Sequence, residues 1–198
     1  QVPLTWFKAI DQMCDTKKDC LSLMEVVSIL SGCSVPEKEV PLLLSFLLLT
    51  AAFLANDFSV DYIARQSNTL LPVWYKVSAV WGGHEGSLLL WVLVLAGWGA
   101  AVARGARSLP QVMTARVLAI MGLVSAAMTS FVLFTSNPFK RLLPDYPIEG
   151  NDLNPLLQDP GLIIHPPMLY MGYVGMTVPF AFAMAGLLGG RLDAAWAR

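Results

Sequence analysis

At 198 residues, with 56% hydrophobic and 14% charged side chains and a mean hydropathy of +0.59, the chain is too apolar for an ordinary soluble domain. Its net charge of −1 excludes the pronounced basic excess with which proteins hold nucleic acid. The length suits one domain or a piece of something larger.

The segment from Gln1 to Lys18 is polar and lacks the apolar core of a signal peptide. Cys14, Cys20 and Cys33 all fall in the first forty residues, without CxxC spacing and with no histidine nearby. That pattern suggests neither zinc nor a c-type haem attachment, and reads as thiols in a reducing compartment. Ser22 and Glu25 form a capping box ahead of "VVSIL", which predicts a short soluble or interfacial helix.

Four uncharged stretches follow, at residues 41–55, 87–103, 117–134 and 168–188. At about 1.5 Å per residue, eighteen residues reach roughly 27 Å, close to the ~30 Å of a hydrocarbon core. A backbone exposed to lipid must satisfy its own hydrogen bonds, so these stretches are expected as helices. The predicted fold is all-α: a polytopic membrane protein with about four transmembrane helices, the first short for a full span.

The loop between the second and third stretches carries Arg104, Arg107 and Arg116 and no acid. The positive-inside rule makes it cytoplasmic and puts both ends of the chain inside, in agreement with Arg191 and Arg198. Residues 56–86 and 135–167 then face the other side, the periplasm in a bacterium. Trp74, Tyr75, Trp81, Tyr170 and Tyr173 fall near that interface, where aromatic belts form.

Both histidines lie on this outer side. His84 sits in "WGGHEGS", where Gly82, Gly83 and Gly86 permit a tight turn and Glu85 suits a helix N-terminus. Two readings stay open here: His84 or Ser87 caps the helix, or His84 has a functional imidazole. His165 stands before Pro166 and Pro167. Pro166 should push it out of helical geometry, at or just before a helix start, where the dipole disfavours imidazolium. A neutral imidazole held there suits an axial haem ligand, a proton relay or a quinone hydrogen bond. Gly172 and Gly175 would let a helix or a flat macrocycle approach, and Pro179 should kink the last span.

The strings "WGGHEGS" and "DLNPLLQDPGLIIHPP", within a stretch running from about Pro41 to Arg198, resemble the CcmF/NrfE family, haem lyase subunits of bacterial cytochrome c maturation. The resemblance implies an inner-membrane, multi-pass protein with its haem site on the periplasmic side. It implies a lyase that takes haem from a CcmE-type carrier, works with CcmH/CcmI-type subunits, and joins haem to the CxxCH thiols of apocytochrome c. His165 matches one of the family's periplasmic histidines, proposed as an axial ligand to haem iron. His84 is a weaker candidate, and Arg141, with Lys140, has the charge for a haem propionate. Asn137, Pro138, Asp152, Asn154 and Asp159 share that loop, and anchoring the membrane edge is their plainer role. A second, structural haem b is implied by the family alone, through ligands outside this sequence.

Residues 1–40 depart from the family, as a truncated frame, a frameshift or a fusion would, and residues 41–198 form the family-like part. This stretch alone is expected to bind haem weakly and not to catalyse. Two other classes stand beside the resemblance. A quinone- or proton-handling respiratory subunit would want acids inside its spans, and there are none. A transporter would want broken helices, for which Pro179 is the only sign. An NrfE-type paralogue, serving a variant haem site in nitrite reductase, shares the motifs.

Overall fold

A computed structural model describes residues 39–106 and 109–190. The cysteines, the capping box at Ser22 and Glu25, and Arg107, Arg191 and Arg198 lie outside the described residues. Seven α-helices are present among the described residues: α1 Glu39–Leu54, α2 Asp61–Gln66, α3 Val73–Ala79, α4 His84–Gly105, α5 Gln111–Thr135, α6 Pro160–Gly175 and α7 Thr177–Gly189. A 3₁₀ turn at Pro155–Gln158 precedes α6, and an antiparallel bridge pairs Val60 with Arg141.

Among the described residues, three stretches are long and apolar enough to cross a membrane: His84–Gly105, Gln111–Thr135 and Pro160–Gly189, of 22, 25 and 30 residues. The first expected span is a shorter apolar helix, Leu42–Leu54. It stops where Asn56 takes a left-handed conformation, φ 55°, a common helix terminator. Leu47, Leu48, Leu123, Leu133, Phe134 and Leu187 are all more than half exposed, a surface that suits hydrocarbon and not water.

The last span departs from expectation at both its start and its middle. It begins at Pro160, eight residues before the uncharged run, because Asp159 caps it. The Asp159 carboxylate accepts the amides of Gly161 (2.8 Å) and Leu162 (3.3 Å), and Pro160 takes the first helical position, where no amide hydrogen is needed. The span is interrupted at Met176, between α6 and α7. Pro179 explains the break: it has no amide hydrogen for the carbonyl of Gly175, four residues back, and its ring crowds that oxygen.

The described residues fall into two compact units. One comprises Val40–Leu95 and Met128–Val174. Its core is Leu49, Phe53, Phe58, Tyr62, Ile63, Val80, Leu89 and Leu153, with Phe53 and Tyr62 meeting edge to face at 5.5 Å. The other comprises Ala96–Ala127 and the described part of Gly175–Arg198. Here small residues allow close approach: Ala181 and Ala185 are fully buried, and the Gly175 backbone lies against Trp98.

Candidate functional site

In the first unit, the segments between the long helices form a hydrogen-bonded frame that reaches the first turns of α4 and α6. The frame is built on Tyr62. Its hydroxyl accepts the amide of Gly83 (2.9 Å) and faces the carbonyls of Ala79 and Val80, each at 3.1 Å. Burial pushes the Tyr62 phenol well above its ordinary range. A side chain at Gly86 would collide with the Val80 carbonyl at 1.7 Å and with the Tyr62 hydroxyl at 2.7 Å. The glycines of "WGGHEGS" thus let the start of α4 close on Tyr62.

Arg65 of α2 reaches the same turn, pairing with Glu85 at 2.7 Å and with Asp61 at 3.2 Å. The bond to Glu85 holds the Arg65 guanidinium above its usual range. Ser87 does not cap α4; its hydroxyl donates to the carbonyl of Trp81 (2.7 Å). His84 is the first residue of α4 and is exposed, and its Nε2 lies 3.1 Å from the hydroxyl of Ser136, just after α5.

His165 is the sixth residue of α6, not a residue at or before its start. The expectation failed because Asp159 and Pro160 open the helix one and a half turns earlier and the helix runs through Pro166 and Pro167. The dipole argument for a neutral imidazole lapses with it, since that effect fades beyond the first turn. The imidazole is nonetheless exposed, and its helical neighbours Ile164, Met168 and Leu169 are exposed apolar groups.

Two consecutive prolines remove the amide hydrogens that would reach the carbonyls of Leu162 and Ile163. The second of these oxygens is recovered from outside the helix. Trp81 Nε1 donates to Ile163 O at 3.0 Å. One bond therefore ties the segment of His84 to the segment of His165. Trp81, expected near the membrane interface, is half-buried against the core and makes this bond. Of the five aromatics expected near that interface, Trp74 and Tyr173 are the most open, at 83% and 71% exposure.

The loop after α5 folds back on the frame. Arg141 donates to the Ser59 hydroxyl (2.8 Å) and lies 3.7 Å from Asp57, while Leu142 N donates to Ser59 O and Asp61 N to Lys140 O. Arg141 is half-exposed, so part of its charge faces solvent. Glu149 accepts the amide (2.8 Å) and hydroxyl (2.6 Å) of Thr69, which hold its carboxyl below the usual range. Asp152 accepts from Asn68, Asn137 from the amide of Phe139, and Asn154 from the amide of Leu156. Lys76 is buried, with its ammonium on Asn56 Oδ1 (2.6 Å) and Thr69 O (3.3 Å).

What this arrangement offers chemically is an exposed imidazole on a helix whose neighbouring side chains are exposed apolar groups. Such a surface fits one side of a porphyrin: a nitrogen for the iron and greasy neighbours for the ring. Among the described residues, no three His, Cys, Asp or Glu side chains gather as a site for a bare metal ion. Sequence reasoning found both histidines but missed Tyr62, the bond made by Trp81 and the capping role of Asp159. The Asp-Pro-Gly run is a helix-start signal that would have placed Asp159.

The family model described as "Cytochrome C assembly protein" matches residues 81–194, which include both histidines. The chain is 67% identical over 154 residues to the cytochrome c-type biogenesis protein CcmF of Pseudomonas aeruginosa, covering 78% of this chain and 23% of that protein. Against CcmF of Escherichia coli K12 it is 65% identical over 154 residues, covering 78% and 24%. It is also 52% identical over 157 residues to the probable cytochrome c-type biogenesis protein NrfE of the same organism, covering 79% and 28%. The chain thus spans about a quarter of the length of the curated relatives it matches. A solved structure titled "Cytochrome c Heme Lyase CcmF" shares the fold, with a TM-score of 0.72 at 23% identity over 97% of this chain and 30% of that one.

Proposed function

The chain belongs to the cytochrome c assembly protein family, and on that premise we propose that it is part of a haem lyase of the CcmF type. In this reading residues 41–198 are the N-terminal transmembrane part of the assembly domain, with residues 1–40 apart from it. The protein sits in the bacterial inner membrane, both ends of the stretch cytoplasmic and the histidine-bearing frame periplasmic. Haem is its substrate, delivered by a CcmE-type carrier, and apocytochrome c is the acceptor, handled by CcmH/CcmI-type subunits. Within Escherichia coli K12, identity of 65% to CcmF against 52% to NrfE supports a general lyase over the nitrite-reductase paralogue.

The chemistry is addition of a cysteine S–H across a haem vinyl group. A C–S bond forms at one vinyl carbon, the π bond is lost, and the proton ends on the other carbon. No net electron transfer is needed. Most of the electronic difficulty belongs to the haem, and the protein's contribution is grip and orientation. His165 supplies a nitrogen to the iron, and Ile164, Met168 and Leu169 present apolar surface to the ring. Arg141, its guanidinium half-open, can meet a propionate. His84 holds Ser136 and is the weaker ligand candidate.

The observation that carries the reading is the exposed imidazole of His165, among exposed apolar neighbours, inside the stretch that the family model matches. The test is titration of the chain in lipid nanodiscs with haem, followed in the Soret region. Weak binding is expected that is lost in His165→Gly and returned by added imidazole. Tight bis-histidine spectra that persist in His165→Ala would overturn the reading.

A further inference from the structure

Two carbonyls of α6 are stripped of their helical donors just before and beside His165. Pro166 and Pro167 cannot supply amide hydrogens to Leu162 and Ile163, and a second consecutive missing bond leaves the turn weakly determined. In an apolar setting an unpaired carbonyl is costly, so the turn would rotate or fray to find water. The helix runs through both prolines, and one of the two missing donors is replaced: Trp81 Nε1 meets Ile163 O at 3.0 Å.

Trp81 can serve this purpose because it is itself fixed. Its amide donates to Ser78 O (3.2 Å), its carbonyl accepts the Ser87 hydroxyl (2.7 Å), and its ring packs on the core. That core is the one that holds Tyr62, on which the glycine turn closes. The grip lands on Ile163, two residues before His165 and four before Pro167.

We infer that Trp81 is a positioning residue for His165, its indole N–H replacing the amide hydrogen that Pro167 lacks and so fixing the direction of the imidazole. The inference rests on the reading of His165 as a haem ligand and adds to it: the "WGGHEGS" turn serves the other histidine's helix.

The test is a cycle on the full chain in nanodiscs. Trp81→Phe keeps an aromatic ring, smaller than the indole, and removes the donor, while Pro167→Ala restores an amide hydrogen to the helix and separates the lost bond from the lost packing. Trp81→Phe is expected to weaken haem binding about ten-fold, as loss of a bond to a half-buried acceptor would. It should also speed amide hydrogen exchange at His165, Met168 and Leu169 without haem. The double variant Trp81→Phe/Pro167→Ala is expected to recover both. Unchanged binding in Trp81→Phe, while His165→Gly remains dependent on imidazole, overturns the inference and spares the haem reading. Indifference to His165→Gly overturns both. If Trp81→Phe loses exchange protection at Ile63 and Leu89 as well, and Pro167→Ala restores nothing, Trp81 is only a packing residue and the inference falls.

Discussion

The hydroxyl of Tyr62 and the amide nitrogen of Gly83 lie 2.9 Å apart, and the chain between Val80 and Gly86 wraps closely around that bond. The closeness has a steric consequence at Gly86, where an added methyl would sit 1.7 Å from the Val80 carbonyl. Both parties are backbone, so neither can swing away. Gly86→Ala is expected to destabilise the first unit by about 3 kcal/mol or more, at or above the usual cost of overpacking. Gly97→Ala, with nothing within 4 Å, is the control and should leave stability level or slightly raised. Unfolding in mixed micelles by increasing SDS measures both.

Tyr62 also predicts how this unit responds to alkali. Burial raises its phenol in the folded chain, whereas in the unfolded chain it ionises near its ordinary value of about 10. Stability from this group is therefore full below about pH 10 and declines above it, as the unfolded state gains by losing the proton. Tyr62→Phe should start about 1 kcal/mol lower, having lost the acceptor for Gly83, and should lack the alkaline decline. Unfolding midpoints across the alkaline range decide between the two curves.

The fold class was legible because lipid leaves so few options. Uncharged runs of sufficient length must be helices, and the runs at 87–103 and 117–134 lie inside α4 and α5. What composition could not show was where helices begin, since polar residues can occupy the first turn. Asp159 and Pro160 begin α6 outside the apolar run, and that shifted His165 from the helix start to its second turn. Pro166 looked like a barrier because local rules count only the bonds within a helix. The bond that replaces one of the two missing donors comes from Trp81, 82 positions from Ile163 in sequence, and no window around His165 contains it. The same limit hid the meaning of the glycines at 83 and 86, whose partner is Tyr62.

The clasp between Glu149 and Thr69 makes an acid-side prediction. Thr69 donates from its amide and its hydroxyl to the two carboxylate oxygens and holds the carboxyl below its ordinary value of about 4.3. A lowered carboxyl stabilises the fold above that ordinary value, and the contribution disappears as pH falls through the folded one. Hydrogen exchange at the Thr69 amide, corrected for the intrinsic pH dependence, should lose protection on acidification. Glu149→Gln should show the loosened state at neutral pH with little further change in acid. A Thr69 amide equally protected in both chains at neutral pH would count against the clasp.

Asp159 decides whether α6 begins where it does. Its carboxylate takes the amides of Gly161 and Leu162, two of the four donors that a helix start leaves over. Removing it in Asp159→Ala is expected to cost about 1 kcal/mol, whereas Asp159→Asn, which still accepts a bond, should cost only a fraction of that. The effect should be local: faster exchange at Gly161, Leu162 and Ile163, with Ile63 and Leu89 unchanged. Because Trp81 grips the turn at Ile163, fraying should stop there, and the amides of Met168 and Leu169 should stay protected. Combining Asp159→Ala with Trp81→Phe removes both restraints, so exchange at Met168 and Leu169 should rise by more than the two single effects together. Strict additivity would mean that cap and clamp act on separate parts of the helix, and that the first turn and a half of α6 carries no restraint through to His165.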